Sequence, residues 1–300
     1  MRWLLAVVCA ALLVSGCAAQ VSGAPPSAEN TPQVPVVVPQ APLPVLPQAP
    51  AQPAATFDGL DARVRQATAD AAATGADITT AILDRDTGQL VSSGADTPFP
   101  MASVVKLFIA DDLLLQESEG KTTLSPADHK ALDVMLRSSD DTAAQNFWDR
   151  SGGNAIIARI KARYGLAGTT APYNGHWDVT QTTAADLVRY YDMLLNGSGG
   201  LPPEQADVII SNLAQSTPSG TDGYPQRFGI PEGLHAEPVA VKQGWFCCWS
   251  GANQLHVSSG IIGSDRRYVM VISSLDPTDA ATAREDITQA VSTMFPSGKI

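Results

Sequence analysis

Basic residues are scarce in this 300-residue chain. Lys and Arg number 19 against 30 Asp and Glu, a net charge of −11. That balance excludes the basic surface a nucleic-acid partner needs and disfavours direct adhesion to anionic lipid. Histidine is rarer still. The four residues, at 129, 176, 235 and 256, show no metal-ligand spacing. They read as surface or core residues, with His176 and Trp177 as candidate lip residues; neither metal nor cofactor is expected. Beyond the N-terminus no apolar run approaches the roughly 18 residues that would span a membrane. Only four cysteines occur, Cys9, Cys17, Cys247 and Cys248.

The N-terminus is the exception to the lack of long apolar runs. Met1 to Cys17 has one positive residue, an apolar stretch and small residues before a break, the pattern of a secretion signal. The ending Leu13-Val14-Ser15-Gly16-Cys17 resembles a bacterial lipoprotein box, in which cleavage precedes a cysteine that takes a diacylglycerol. The alternative is an ordinary signal peptide that contains Cys17. Residues 18–56 read as a Pro/Ala-rich tether, with ten prolines between positions 18 and 55 and almost no charge. Such a stretch favours an extended polyproline-type chain of about 3.1 Å per residue, up to ~100 Å in all, or else serves as a plain spacer.

The folded part is expected over 57–300, and one stretch in it organises the rest. Phe99-Pro-Met-Ala-Ser103-Val-Val-Lys106 runs into an apolar helix reaching about Glu117. Ser103 falls in the first turn and Lys106 three residues on, on the same face. A serine hydroxyl needs a base beside it, and a lysine desolvated in an apolar helix can be that base. The motif is weak by itself: 23 Ser and 6 Lys give roughly 0.5 chance matches. Ser118-Glu-Gly-Lys121 is a second match, polar and without an apolar wall, and is set aside as a decoy.

In order, the pattern predicts a helix over 57–74, strands at 78–83 and 89–93 joined by an Asp84–Gly88 hairpin turn, and then the Ser103 helix. A mostly helical block follows from Ser125 to Leu213, with a loop from Gly168 to Gln181. Strands at 239–246, 254–262 and 268–274 and a helix over 282–294 close the chain. The two ends are expected to share one lobe (about 57–97 and 215–300), with the helical block (about 98–214) inserted as a second. A cleft between lobes is a common place for a site.

Three pieces then fall in order: Ser103-Val-Val-Lys106, Ser139-Asp140-Asp141 at a turn between helices, and Lys242-Gln243-Gly244 on the first returning strand. This resembles the penicillin-recognising serine hydrolases, class A β-lactamases in particular, whose pattern is Ser-x-x-Lys, Ser-Asp-Asn and Lys-Thr-Gly. The resemblance implies an α+β fold of β-lactamase/transpeptidase type: a mixed antiparallel sheet lobe flanked by helices, with an inserted all-α lobe. It implies Ser103 as acyl acceptor, Lys106 as its base or relay, Ser139 as proton shuttle to the leaving nitrogen, and Lys242 as attractor of a substrate carboxylate. Backbone N–H groups of Ser103 and Trp245 would form the oxyanion hole, and Gly244 would let substrate lie close along the strand.

The departures are as informative. Asp141 stands where the family has Asn; ionised, it would pair with Lys106 and raise that lysine's pKa. Gln243 replaces Thr. Between the second and third motifs the family activates its deacylating water with a Glu, whereas the Gly168–Gln181 loop holds no Glu and a single acid, Asp178. Acylation with slow hydrolysis is therefore expected. Plainer roles stand beside these: Ser103 as a helix-start residue, Lys106 snorkelling to the surface, Ser139-Asp140 as a helix cap, Lys242 as an edge-strand guard. Cys247 and Cys248 form either a vicinal disulfide or two thiols on opposite faces of a strand, at an oxidising, exported location. The expectation is a monomeric, lipid-anchored serine hydrolase on the outer face of the cytoplasmic membrane, acting on β-lactams or D-Ala-D-Ala stem peptides. The alternative is an inactive envelope protein of the same fold that binds cell wall or a partner.

Overall fold

The structure is a computed structural model that describes residues 57–300. The leader, the tether and Cys17 lie outside the described residues. The chain opens with helix α1 (Leu60–Thr74), which ends on Gly75 at φ 96°, a left-handed conformation that glycine adopts freely. Strands β1 (Asp77–Asp84) and β2 (Gln89–Ser93) follow as a hairpin, with Gly88 at φ 72° in the turn. A two-residue strand β3 (Phe99–Pro100) then leads through a 3-10 turn (Ala102–Val105) into α2 (Lys106–Ser118).

Helix α2 is buried on all sides from Lys106 to Leu114, so it forms the axis of the helical lobe rather than a surface element. Around it stand α3 (Pro126–Arg137), α4 (Asp141–Arg150), α5 (Asn154–Tyr164), α6 (Ala184–Asn196) and α7 (Pro203–Ala214). Two aspartates inside α2 are tolerated because each is paired. Asp111, whose carboxyl burial pushes up, meets Arg163 and the hydroxyls of Tyr164 and Tyr190. Asp112 accepts two bonds from Arg159, each 2.7 Å long.

The chain returns through a short helix α8 (Ile230–Gly233) to β5 (Val239–Trp249), β6 (Asn253–Ile262) and β7 (Tyr268–Asp276), and closes with α9 (Ala280–Met294). The five-stranded sheet is antiparallel throughout, in the order β2-β1-β7-β6-β5. Pairing of β1 with β7 brings both ends of the folded part together. Alternation assigns the two faces. Ala81, Val257, Val269 and Val271 join the core of the helical lobe. Ile78, Ile82, Met270 and Ile272 pack under α1 and α9. Strand β5 is the edge, and its free side faces the turn that holds Ser103.

Two short elements escape sequence reading. A strand β4 (Gln181–Thr182) pairs with β3, and a 3-10 turn covers Trp177–Val179. Two-residue strands carry no periodicity to read. They matter because Met101 N–H also bonds the Thr180 carbonyl at 2.8 Å. The Gly168–Gln181 loop is thereby laced to the approach to Ser103.

Candidate active site

Ser103 sits in the 3-10 turn, one turn before the α-helix proper begins at Lys106. Lys106 does not reach for the surface. Its side chain is 0 % exposed, and its Nζ lies 2.8 Å from Ser103 Oγ, 2.7 Å from the Ser139 carbonyl, 3.2 Å from Ser139 Oγ and 2.6 Å from Asp141 Oδ1. The Trp177 ring lies under the ammonium, 4.8 Å away at its centroid. Four acceptors exceed the three N–H bonds of an ammonium. A neutral amine donating to Asp141 and the Ser139 carbonyl could instead accept the Ser103 hydroxyl proton.

Two backbone positions build this cluster. Ala102, just before Ser103, has φ 46°, and Ser139 has φ 58°. Both are left-handed and neither is glycine, an arrangement that costs about 1–3 kcal/mol and clusters at functional sites. At Ser139 the conformation turns the carbonyl to Lys106 while the hydroxyl accepts from Lys242 Nζ at 2.8 Å. Asp140 is the N-cap of α4, accepting the Ala143 N–H at 2.7 Å, so the capping role of this motif exists alongside the lysine cluster.

Lys242 lies on the edge strand but is 1 % exposed, which a guard against aggregation would not be. Its donors go to Ser139 Oγ and the Gln243 carbonyl, 3.0 Å away. Burial, reinforced by the Lys106 charge, holds Lys242 well below an ordinary lysine pKa. Burial also lowers Lys106, and Asp141 acts against it without reversing it. Asp141 does act to raise Lys106, as its charge predicts, but desolvation of a fully covered ammonium is the larger effect.

Gln243 points away from the cluster, donating to the carbonyls of Gln226 (3.0 Å) and Phe228 (2.7 Å). The bare face of Gly244 is not open to substrate. A Cβ there would stand 2.6 Å from the Met101 carbonyl oxygen and 3.1 Å from Ala102 Cβ, so glycine is required by the approach of β5 to the Ser103 turn. Cys247 and Cys248, at the exposed end of β5, are joined as a vicinal disulfide across a cis peptide.

A cavity of about 240 Å³ opens on Ser103. Asp141, Asp178, Asp222, Trp245 and Phe246 line it, with Trp177 as a further wall. Asp178 thus reaches the cavity from the laced loop, whereas His176 stays exposed and does not line it. Asp222 and Phe246 were not singled out from sequence. Asp222 lies in the loop before α8, where nothing in the local pattern marks it. Its carboxylate accepts the Tyr224 N–H (2.9 Å) and the Trp245 indole N–H (3.2 Å). The Tyr224 ring stacks on Trp245, and its hydroxyl meets His256 Nε2 at 2.7 Å. Burial brings His256 down to about 4, so the imidazole is neutral at ordinary pH.

An antiparallel sheet backed by two terminal helices, a helical lobe on its other face and a buried Ser-Lys-Ser-Lys cluster where they meet define the β-lactamase/penicillin-binding-protein fold. The profile of the β-lactamase enzyme family, Beta-lactamase2, matches residues 60–127 and 129–295, and the chain belongs to that family. Mycobacterium tuberculosis and Mycobacterium bovis each have a protein carrying the lipoprotein name LppW that is 63% identical over 255 residues, covering 85% of this chain and 81% of theirs. Among solved structures, PBP-A superposes with TM-score 0.65 at 19% identity, over 80% of this chain and 96% of that one. A variant of PBP-A solved as an acyl-enzyme complex with penicillin-G gives 0.66 at 19%, over 82% and 98%. A β-lactamase from Chitinophaga pinensis gives 0.62 at 16%, over 79% and 99%. At these identities the structures establish the fold alone.

Proposed function

We propose that this chain is an exported, lipid-anchored serine hydrolase that forms an acyl-enzyme on Ser103 with β-lactams or D-Ala-D-Ala peptides and releases it slowly. The observation that carries this reading is Lys106 Nζ at 2.8 Å from Ser103 Oγ, fully buried, with its pKa lowered by burial. As Ser103 Oγ attacks the substrate carbonyl, Lys106 takes its proton. The N–H groups of Ser103 and Trp245 receive the oxyanion. Ser139, bonded to both lysines, passes a proton to the leaving group, and Lys242 keeps that relay polarised. Slow release follows from the deacylation side. The loop at the cavity holds no Glu, and its single acid, Asp178, lacks the spacing of the family's deacylating Glu. The lipoprotein name of the mycobacterial relatives supports the anchor at Cys17 and a place on the outer face of the cytoplasmic membrane.

A second reading, an inactive envelope protein that binds cell wall or a partner through the same cleft, is favoured by one contact. Asp141 at 2.6 Å from Lys106 stabilises the ammonium, which cannot accept the serine proton. Intact mass spectrometry of the domain from Phe57 onward, incubated with a penicillin and sampled over time, separates the two. A lasting adduct that disappears in Ser103→Ala supports the acyl-enzyme. Penicillin hydrolysed without an adduct means an efficient deacylation base. Intact penicillin and no adduct leave the binding protein.

A further inference from the structure

The charges around Ser103 are arranged unlike a site built for an anion. Of the groups that line the cavity, Asp141, Asp178 and Asp222 are carboxylates, and none is a cation. The two lysines of the cluster are sealed beneath, 0 % and 1 % exposed, with Ser139 between them. Asp141 is occupied by Lys106, but among the described residues neither Asp178 nor Asp222 makes an ion pair. Asp222 is held in place by two N–H donors, one of them the Trp245 indole, and the rings of Trp245 and Phe246 line the same cavity. A fixed carboxylate beside aromatic faces is the chemistry that receives an ammonium. Its place in the cleft is set by its neighbour in the chain: the Thr221 N–H bonds the Ser138 carbonyl at 2.8 Å, so Asp222 lies beside the Ser139 turn, where the leaving group departs in the proposed mechanism.

We infer that the leaving-group side of this cleft takes a cation: the acyl donor is a peptide amide, ester or thioester whose departing portion carries an ammonium, received by Asp222 between Trp245 and Phe246. The inference rests on the serine acyl-enzyme reading and narrows its substrate class. A departing diamino acid fits, since its side-chain ammonium can meet Asp222. In the step itself Ser103 Oγ bonds to the acyl carbon, its proton passes to Lys106, the bond from that carbon to the leaving heteroatom breaks, and the leaving group departs with a proton delivered through Ser139.

Three thioesters of one N-benzoylglycyl group test this, with thiocholine (cationic), 2-mercaptoethanol (neutral) and thioglycolate (anionic) as leaving thiols. All three leave the same adduct on Ser103, so intact mass reads acylation rate with the acyl half held constant. The cationic ester is expected to acylate at least about tenfold faster than the anionic one, with the neutral ester between them. Added salt compresses the ratio, because the cavity is open to solvent. Asp222→Asn, on an exposed loop, lowers the ratio by roughly fivefold, and Asp178→Asn lowers it less. Equal rates, a faster anionic ester, or a ratio untouched in Asp222→Asn, as the leaving thiols' own acidities alone would give, overturns the inference while leaving the acyl-enzyme intact. If thioesters and penicillin all stay intact and none leaves an adduct, the acyl-enzyme reading itself falls, and this inference with it.

Discussion

Asp141 opposes the effect of burial on the lysine it touches. Its carboxylate is largely exposed, yet it binds a lysine that is wholly covered. Burial lowers the Lys106 pKa and Asp141 opposes that fall. Acylation needs neutral Lys106, the form present above its pKa. Asp141→Asn removes the opposing charge, so the pKa drops further and more base is present at neutral pH. The acid limb of the pH–rate profile for penicillin acylation is therefore expected to move to lower pH, with a rate gain of roughly tenfold at neutral pH. An acid limb that stays in place removes Lys106 as the base. Sequence order was enough to nominate Ser103, Lys106, Ser139, Asp141 and Lys242, because each motif carries its spacing locally. It could not weigh Asp141 against desolvation, since burial is a property of what packs around α2.

At the scale of elements, the turn before α2 and the edge strand β5 are mutually dependent. Gly244 is the position where they touch. Gly244→Ala places a methyl group against the Met101 backbone carbonyl, which cannot rotate aside. The expected cost is about 1–3 kcal/mol, read as a Tm lower by several degrees together with slower Ser103 labelling. Unchanged Tm and labelling would mean that β5 and the turn move apart freely. A control lies far from this contact. Ser125 caps α3, and its hydroxyl and the Asp128 carboxylate close a reciprocal box. Ser125→Ala should cost about 1 kcal/mol in chemical denaturation and leave Ser103 labelling unaltered. The longer helices and strands were legible because each is a sustained run of suitable residue types bounded by turn signals. Strand β5 was read as ending at Phe246, yet it continues through the cysteine pair to Trp249. The two-residue strands β3 and β4 were invisible, because a pairing that short exists only between distant segments.

Across the whole molecule, Asp84 at the end of β1 holds Arg267, the residue just before β7, through two bonds of 2.8 and 2.7 Å. The pair joins the first and last strands of the fold, and Arg267 keeps the Asp84 carboxyl down at about 2. A carboxyl whose folded pKa is depressed contributes stability above its ordinary value of 3.8 and loses it as pH falls toward 2. Asp84→Asn should thus cost about 1 kcal/mol at neutral pH, with native and variant converging in stability as pH approaches 2. A gap that persists at that pH would point to packing rather than charge. At the other end of the chain, the proposed anchor predicts that Cys17→Ala moves the protein from the membrane to the soluble fraction in fractionated cells. Membrane retention would count against lipidation at Cys17.

What the sequence determined by itself is the class of the protein: the alternating and helical patterns by residue type, and the order of three short motifs. These are local properties, readable because spacing along a helix or strand converts directly into facing. Only the tertiary structure decided what the cleft is made of. Asp222 and Phe246 come to Ser103 from separate segments, Asp178 reaches it because β3 and β4 lace its loop down, and Gly244 turns out to serve the protein's own packing. The reason is physical: charge, desolvation and close approach depend on which surfaces meet, and that meeting is set by the burial of both faces of one sheet.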